Sequence, residues 1–262
     1  MNGVVRFQNI DVSYFLVGEG PTIVWLHGFL EDKSIWKSQL EFFKLHFTNI
    51  CIDLLGHGKT ANVAQEHSME LQADAVLTVL NELHIDSFML VGHSMGGYVS
   101  LAILEKEKKR VCKIVLLNST SNPDTAEKII NRKRLLKIIP EQKDTYARLG
   151  VVNLFSSDSN VSTKEIENLV QIAKGTSVQG ICASLVGMMN RKSRLELFRE
   201  FRGEKLIIAG EKDMVLSSKL SKVESIFTEA QFEILPGGHM SYLEAEEQLK
   251  ALFALFFRVY KC

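Results

Sequence analysis

The stretch LVGHSMGGYVS, Leu90–Ser100, sets Ser94 among three glycines, Gly92, Gly96 and Gly97, at the joint between two regular segments. An apolar run precedes the joint, Phe88-Met89-Leu90-Val91, and a helix-compatible run follows it, Tyr98-Val99-Ser100-Leu101-Ala102-Ile103-Leu104. Gly92-His93-Ser94-Met95-Gly96 fits the G-x-S-x-G spacing, in which a serine occupies a sharp strand-to-helix bend and its hydroxyl stands out as a nucleophile. Glycines two residues before and after the serine remove side chains that such a bend drives together. The spacing alone is weak, since chance supplies it in roughly one chain in ten of this length. Gly175-Thr176-Ser177-Val178-Gln179-Gly180 nearly repeats it in a helical stretch with no strand before it, so Ser177 receives no catalytic role.

What surrounds the joint gives it meaning. Near-continuous aliphatic runs recur at residues 22–26, 49–54, 87–92, 113–117, 205–210 and 231–235, and residues 4–17 read as two further short strands. Helical patterns separate them at 33–45, 68–83, 97–108, 216–227 and 241–258. Buried strands alternating with helices imply an α/β fold: a mostly parallel, doubly wound sheet of about eight strands, covered on both faces. From residue 120 to 203 the strands stop, and helical patterns fill 125–139, 142–155, 163–174 and 177–189. Residues 1–119 and 204–262 are therefore expected to form the core, and 120–203 a helical insertion. Ligands of open parallel sheets bind at the carboxyl ends of the strands, so the insertion is expected to lie over the site as a cap.

Composition excludes several classes. Of 262 residues, 46% are hydrophobic and 24% charged, and 31 basic residues balance 31 acidic ones, so neither nucleic acid nor a membrane surface is an expected partner. The expectation is a cytoplasmic protein acting on a small molecule, its state open between monomer and homodimer, because no signal peptide or membrane-length apolar run is present. Cys51, Cys112, Cys182 and Cys262 are widely spaced, and Cys51 and Cys112, set in strand-like runs, are expected reduced and buried. No Cys-x-x-Cys or His-x-x-x-His spacing suggests a metal, and no cofactor is implied.

A serine hydroxyl needs a base and an orienting carboxylate. Among seven histidines, His239 follows strand 231–235 and the turn Pro236-Gly237-Gly238, so it projects from a loop at a strand's carboxyl end. His93, His27 and His57 read as structural, and His46, His67 and His84 as exposed at helix margins. Asp213, in Gly210-Glu211-Lys212-Asp213, occupies the equivalent place after strand 205–210, with Glu211 as competitor and Asp53 read as structural. The order Ser94, Asp213, His239 is that of α/β-hydrolases.

The chain resembles α/β-hydrolase-fold proteins over essentially its whole length. The matching segments are His27-Gly28-Phe29, Asp53-Leu54-Leu55-Gly56-His57-Gly58, Gly92-His93-Ser94-Met95-Gly96-Gly97, Gly210-Glu211-Lys212-Asp213 and Gly237-Gly238-His239. The resemblance implies a cap at 120–203 and an oxyanion hole made by the amides of Phe29 and Met95. It also implies hydrolysis of a small carboxylic ester, thioester or lactone through an acyl-enzyme on Ser94, because relatives that dehalogenate or open epoxides carry aspartate at that place. Trp36, Tyr98, Phe155 and Met188, with Leu185 and Met189, are candidates to line the pocket.

Two other readings stand beside the esterase. His27-Gly28-Phe29-Leu30 with Trp36 also resembles the SHCHC synthase lyases of menaquinone synthesis, whose polyanionic substrate needs cations such as Arg132, Arg134, Arg148 and Arg191. That family places a tyrosine before the serine and an arginine after the glycine pair, where this chain has His93 and Tyr98. The other reading is a ligand receptor on the same fold that retains the triad without useful turnover.

Overall fold

A computed structural model describes residues 1–258; Cys262 lies outside the described residues. Eight strands form one sheet: β1 (Asn2–Phe7), β2 (Ile10–Val17), β3 (Thr22–Leu26), β4 (Thr48–Ile52), β5 (Phe88–His93), β6 (Val111–Leu117), β7 (Glu204–Gly210) and β8 (Gln231–Leu235). Their order is β1-β2-β4-β3-β5-β6-β7-β8, with β1–β2 and β2–β4 antiparallel and every other pairing parallel. All residues of β3 and β5 are buried, which explains their unbroken apolar character: helices cover both faces of the central strands. Helices α1 (Lys37–Phe43), α2 (Met69–Glu82) and α3 (Met95–Glu107) connect the first half of the sheet, a 3₁₀ turn at Lys33–Trp36 preceding α1.

Four helices lie between β6 and β7: α4 (Ala126–Val152), α5 (Thr163–Gly175), α6 (Val178–Met189) and α7 (Leu195–Glu200). The two helices expected at 125–139 and 142–155 are the two arms of α4, which meet at a kink where Gln142 has the non-helical φ −127° and ψ 32°. Pro140 lacks an amide hydrogen and crowds the preceding turn, which places the break here. The short α7 has no counterpart in the sequence reading. Helices α8 (Ser218–Thr228), α9 (Ser241–Glu244) and α10 (Glu246–Phe257) complete the fold, and the single helix expected at 241–258 is broken at Ala245.

One side of the sheet is held by an aromatic cluster. The Trp25 ring lies 5.1 Å from Trp36, 5.5 Å from Phe253 and 6.0 Å from Phe43, all fully buried. Trp25 Nε1 donates to Asn49 Oδ1 at 3.0 Å, so β3 and β4 are joined by side chains as well as by the ladder. Cys51 is buried as expected, whereas Cys112 is exposed. Cys112 occupies the second residue of β6, before the strand enters the buried layer, and its sulfur is 2.9 Å from Ser87 Oγ. His67 reverses its expectation by being fully buried, its amide donating to Ala183 O of α6 at 3.0 Å. Burial pushes His67 down to about 4 and His57 to about 3, which leaves both rings neutral near pH 7. Among the described residues, no helix is long and apolar enough to cross a membrane, and no acid, histidine and cysteine cluster is placed to hold a metal ion.

Candidate active site

Five strand ends converge on Ser94. It follows β5 and begins α3, with φ 49° and ψ −114°, a left-handed conformation that side chains rarely adopt. Such strain costs about 1–3 kcal/mol and persists only where surroundings enforce it. Here a Cβ on Gly92 would overlap the carbonyl of Gly96, and one on Gly96 would overlap the carbonyl of Leu26 in β3. The two glycines therefore permit both the bend and the close approach of α3 to the sheet.

His239 Nε2 lies 2.9 Å from Ser94 Oγ, and His239 Nδ1 lies 2.7 Å from Asp213 Oδ2. The carboxylate selects the tautomer with hydrogen on Nδ1, leaving Nε2 free to accept the serine proton. Asp213 is itself fixed: Oδ1 accepts from the amides of Val215 and Leu216 at 2.8 and 3.0 Å, and Oδ2 accepts from Asn118 Nδ2 at 3.0 Å. Burial alone raises the Asp213 carboxyl, but the charge and hydrogen bond of His239, with the Asn118 and Leu216 donors, outweigh it and hold the group below its usual range. Glu211, the competing carboxylate, is exposed and lacks this setting. The loop that carries His239 is gripped from the insertion, since its amide donates to Leu154 O at 2.8 Å. Glu244 adds a second grip, accepting from Gly238 N and Ser156 N at 2.8 and 2.9 Å.

Next to the triad lies a buried acid that sequence reasoning missed. Glu31, 3% exposed, accepts from Gly28 N at 2.5 Å and from Tyr242 Oη at 3.0 Å, and its Oε2 is 2.9 Å from His93 Nδ1. His93 Nε2 in turn faces His239 O at 2.9 Å. Burial works against both charges, yet His93 holds the Glu31 carboxyl below its usual value and Glu31 holds the His93 ring above its own, so the pair is ionic. One ion pair thereby ties the loop after β3, the residue before Ser94 and the backbone of His239.

Glu31→Gln keeps the shape and removes the charge, and it is expected to cost about 3–5 kcal/mol of stability, as for breaking a buried pair. The carboxylate's contribution is present above its ordinary value of 4.5 and is lost as pH falls through its depressed folded value. The histidine's contribution is present below 6.5 and is lost as pH rises through its elevated folded value. Urea unfolding of both proteins across pH checks this: their difference should be greatest from pH 4.5 to 6.5, and a difference independent of pH would exclude an ionic pair.

Ser94 and His239 open on a cavity of about 250 Å³ between the strand ends and the insertion. Tyr98 and Met188 line it, as the sequence reading expects, and so does Phe29. Trp36 does not: its ring is fully buried, 5.1 Å from Trp25 and 6.0 Å from Tyr242, and its indole nitrogen has no hydrogen-bond partner among the described residues. In the 3₁₀ turn Ser34 is exposed while Ile35 and Trp36 are buried, so Trp36 turns into the core. Phe155 does not line the cavity either; Leu154 does, from the turn that follows α4, beside Tyr146 and Gly150 of the helix itself. Leu185 and Met189 are likewise absent from the lining. Of the insertion's arginines, Arg132 reaches the cavity, Arg191 lies 3.9 Å over the Tyr98 ring, and Arg148 pairs with Glu167 at the surface. Asp53 is engaged by Lys33 at 2.5 Å and by the Lys59 amide at 2.9 Å, away from the triad.

A family model described as the alpha/beta hydrolase fold matches residues 21–168. The chain belongs to the α/β hydrolase fold family. In sequence it is 27% identical over 248 residues to the dihydrolipoyllysine-residue acetyltransferase component of the acetoin cleaving system of Pseudomonas putida, covering 93% of this chain and 65% of that protein. It is 28% identical over 132 residues to an (E)-2-((N-methylformamido)methylene)succinate hydrolase of Acinetobacter baylyi, covering 50% of each. The chain thus spans less than two thirds of these relatives' own lengths. Its fold is that of a thermophilic esterase from Thermogutta terrifontis, with TM-score 0.92, 24% identity and 98% of both chains covered. The enol-lactonase of Burkholderia xenovorans shares the fold at TM-score 0.89 and 19% identity, covering 98% of this chain and all of that one.

Proposed function

We propose that this protein is a serine hydrolase that cleaves a small carboxylic ester, thioester or lactone through an acyl-enzyme on Ser94. The observation that carries the reading is the continuous line Ser94 Oγ, His239 Nε2, His239 Nδ1, Asp213 Oδ2, with separations of 2.9 and 2.7 Å across its two hydrogen bonds. His239 takes the serine proton as Oγ attacks the carbonyl carbon, and Asp213 stabilises the imidazolium that forms. The amides of Phe29 and Met95 receive the oxyanion, and neither has another acceptor among the described residues. Each such donor contributes about 3–4 kcal/mol to transition-state stabilisation. His239 returns the proton to the departing alcohol or thiol, and water then releases the acyl group by the same steps reversed.

In this reading residues 120–203 act as the cap, because their side chains close the cavity from the side opposite the strand ends. The volume of about 250 Å³ lies below the usual range for drug-sized ligands, which favours compact substrates. The esterase, hydrolase and lactonase names of relatives and structural neighbours accord with this chemistry. A fluorophosphonate probe with mass-spectrometric mapping, beside a graded series of 4-nitrophenyl esters, tests it. A single adduct on Ser94 and fastest turnover of short acyl chains are expected; an unlabelled wild-type protein would sink the proposal.

A further inference from the structure

Most of the cavity beside Ser94 is apolar, with Leu30, Leu135, Leu154, Met188 and Val215 in its walls. Against that lining stands Lys128, in the first turn of α4, half-buried, its amide donating to Thr125 Oγ1 at 3.3 Å while its ammonium makes no hydrogen bond or ion pair among the described residues. The neighbouring cations are differently placed. Arg132 Nε pairs with Asp124 at 2.5 Å and Arg191 Nη1 pairs with the same carboxylate at 2.7 Å. One fully buried acid thus serves two guanidinium groups and leaves nothing for the ammonium. Charge counting gives the same result. Lys128, Arg132 and Arg191 carry three positive charges, Asp124 and Asp213 two negative ones, and the Glu31–His93 pair cancels, so one positive charge remains at the cavity.

An ammonium withdrawn from water without a partner is unfavourable, and burial lowers its pKa here despite the opposing charge of Asp124. An anionic group on a bound ligand removes that penalty, and in a partly desolvated site a charge-assisted hydrogen bond is stronger than a neutral one. Resting on the hydrolase reading, we propose that the substrate bears a carboxylate, received by Lys128 with Arg132 behind it, so that the preferred ester, thioester or lactone is a small anion. The apolar walls hold the short carbon skeleton between carboxylate and reacting carbonyl, while the cation fixes which end enters.

Three esters test the proposal: 4-nitrophenyl acetate, the mono-4-nitrophenyl ester of glutaric acid, with its carboxylate on the acyl half, and 4-acetoxybenzoate, with its carboxylate on the leaving half. The kcat/KM ratio of one anionic ester to the neutral one is expected to exceed unity and to fall about 10–100-fold in Lys128→Met, the scale of one hydrogen bond to a charged group. Lys128→Arg should retain most of the ratio, and Lys133→Met, on an exposed residue of the same helix, should retain it all. Which anionic ester benefits tells which half faces Lys128. Equal turnover of neutral and anionic esters, or a ratio unmoved by Lys128→Met, overturns the proposal. Calorimetric titration with glutarate separates the two readings because it needs no turnover. Glutarate binding that weakens in Lys128→Met, in a protein that turns over none of the esters, keeps the anion site and refutes the hydrolase. Ester turnover without glutarate binding does the reverse.

Discussion

Ser94→Ala is expected to lower kcat on the best ester by about 10⁶-fold, the scale seen when a triad nucleophile is removed, and to abolish fluorophosphonate labelling. The structure isolates the chemical effect from any structural one. Among the described residues the Ser94 hydroxyl makes one hydrogen bond, to His239 Nε2, while the backbone of Ser94 is held by Leu117 O on its amide and Ser119 Oγ on its carbonyl. Alanine keeps the Cβ and those backbone bonds, so φ near 49° is enforced as before and stability should change by no more than about 1 kcal/mol. The Phe29 and Met95 amides also stay in place, so activity should remain about 10³–10⁴-fold above the reaction in water. His239→Ala should cost about as much, and the double variant little more, since nucleophile and base act as a unit. A Ser94→Ala protein retaining a hundredth of wild-type kcat would show that another group attacks.

The sequence made some of this site legible and hid the rest for reasons of distance. Ser94 directly follows β5, and Asp213 and His239 follow β7 and β8 after short turns, so local pattern puts all three at the carboxyl edge of a parallel sheet. Strand periodicity likewise exposed the sheet, because covered strands read as unbroken aliphatic runs. Side-chain orientation outside the strands was not legible. Trp36 and Phe155 are large and apolar, which serves a pocket wall and a core equally well, and in the turn after α4 it is Leu154 rather than Phe155 that reaches the cavity. Glu31 was hidden because its partners, His93 and Tyr242, lie 62 and 211 residues away in the chain. One signal was present: an acid four residues after His27, in a loop entered directly from a fully buried strand. Lys128 was hidden for a similar reason. Its isolation depends on Asp124 being taken by two arginines, one of them 67 residues distant.

Asp213→Asn is expected to lower kcat by about 10⁴-fold while leaving the protein folded, by analogy with the same exchange in a well-studied triad. The hydrogen-bond geometry says why the loss should be so large for an isosteric change. Oδ1 accepts from two backbone amides, Val215 and Leu216, so an asparagine would place its carbonyl oxygen there and its NH₂ at the Oδ2 position. That position faces His239 Nδ1 at 2.7 Å and Asn118 Nδ2 at 3.0 Å. The NH₂ can only donate, so His239 must turn to the tautomer with hydrogen on Nε2, and that nitrogen then donates toward Ser94 instead of accepting its proton. Asn118 is meanwhile set donor against donor, with only the longer contact to Gly238 O at 3.3 Å left to it. The signature that separates this from simple destabilisation is spectroscopic. The low-field proton resonance of His239 Nδ1–H should vanish in Asp213→Asn and persist in Ser94→Ala. Because the variant lacks a base and not a nucleophile, activity should also recover as pH rises and hydroxide takes the serine proton. If Asp213→Asn instead keeps most of its kcat at neutral pH, the orienting acid is another residue, and exposed Glu211 is the next to replace.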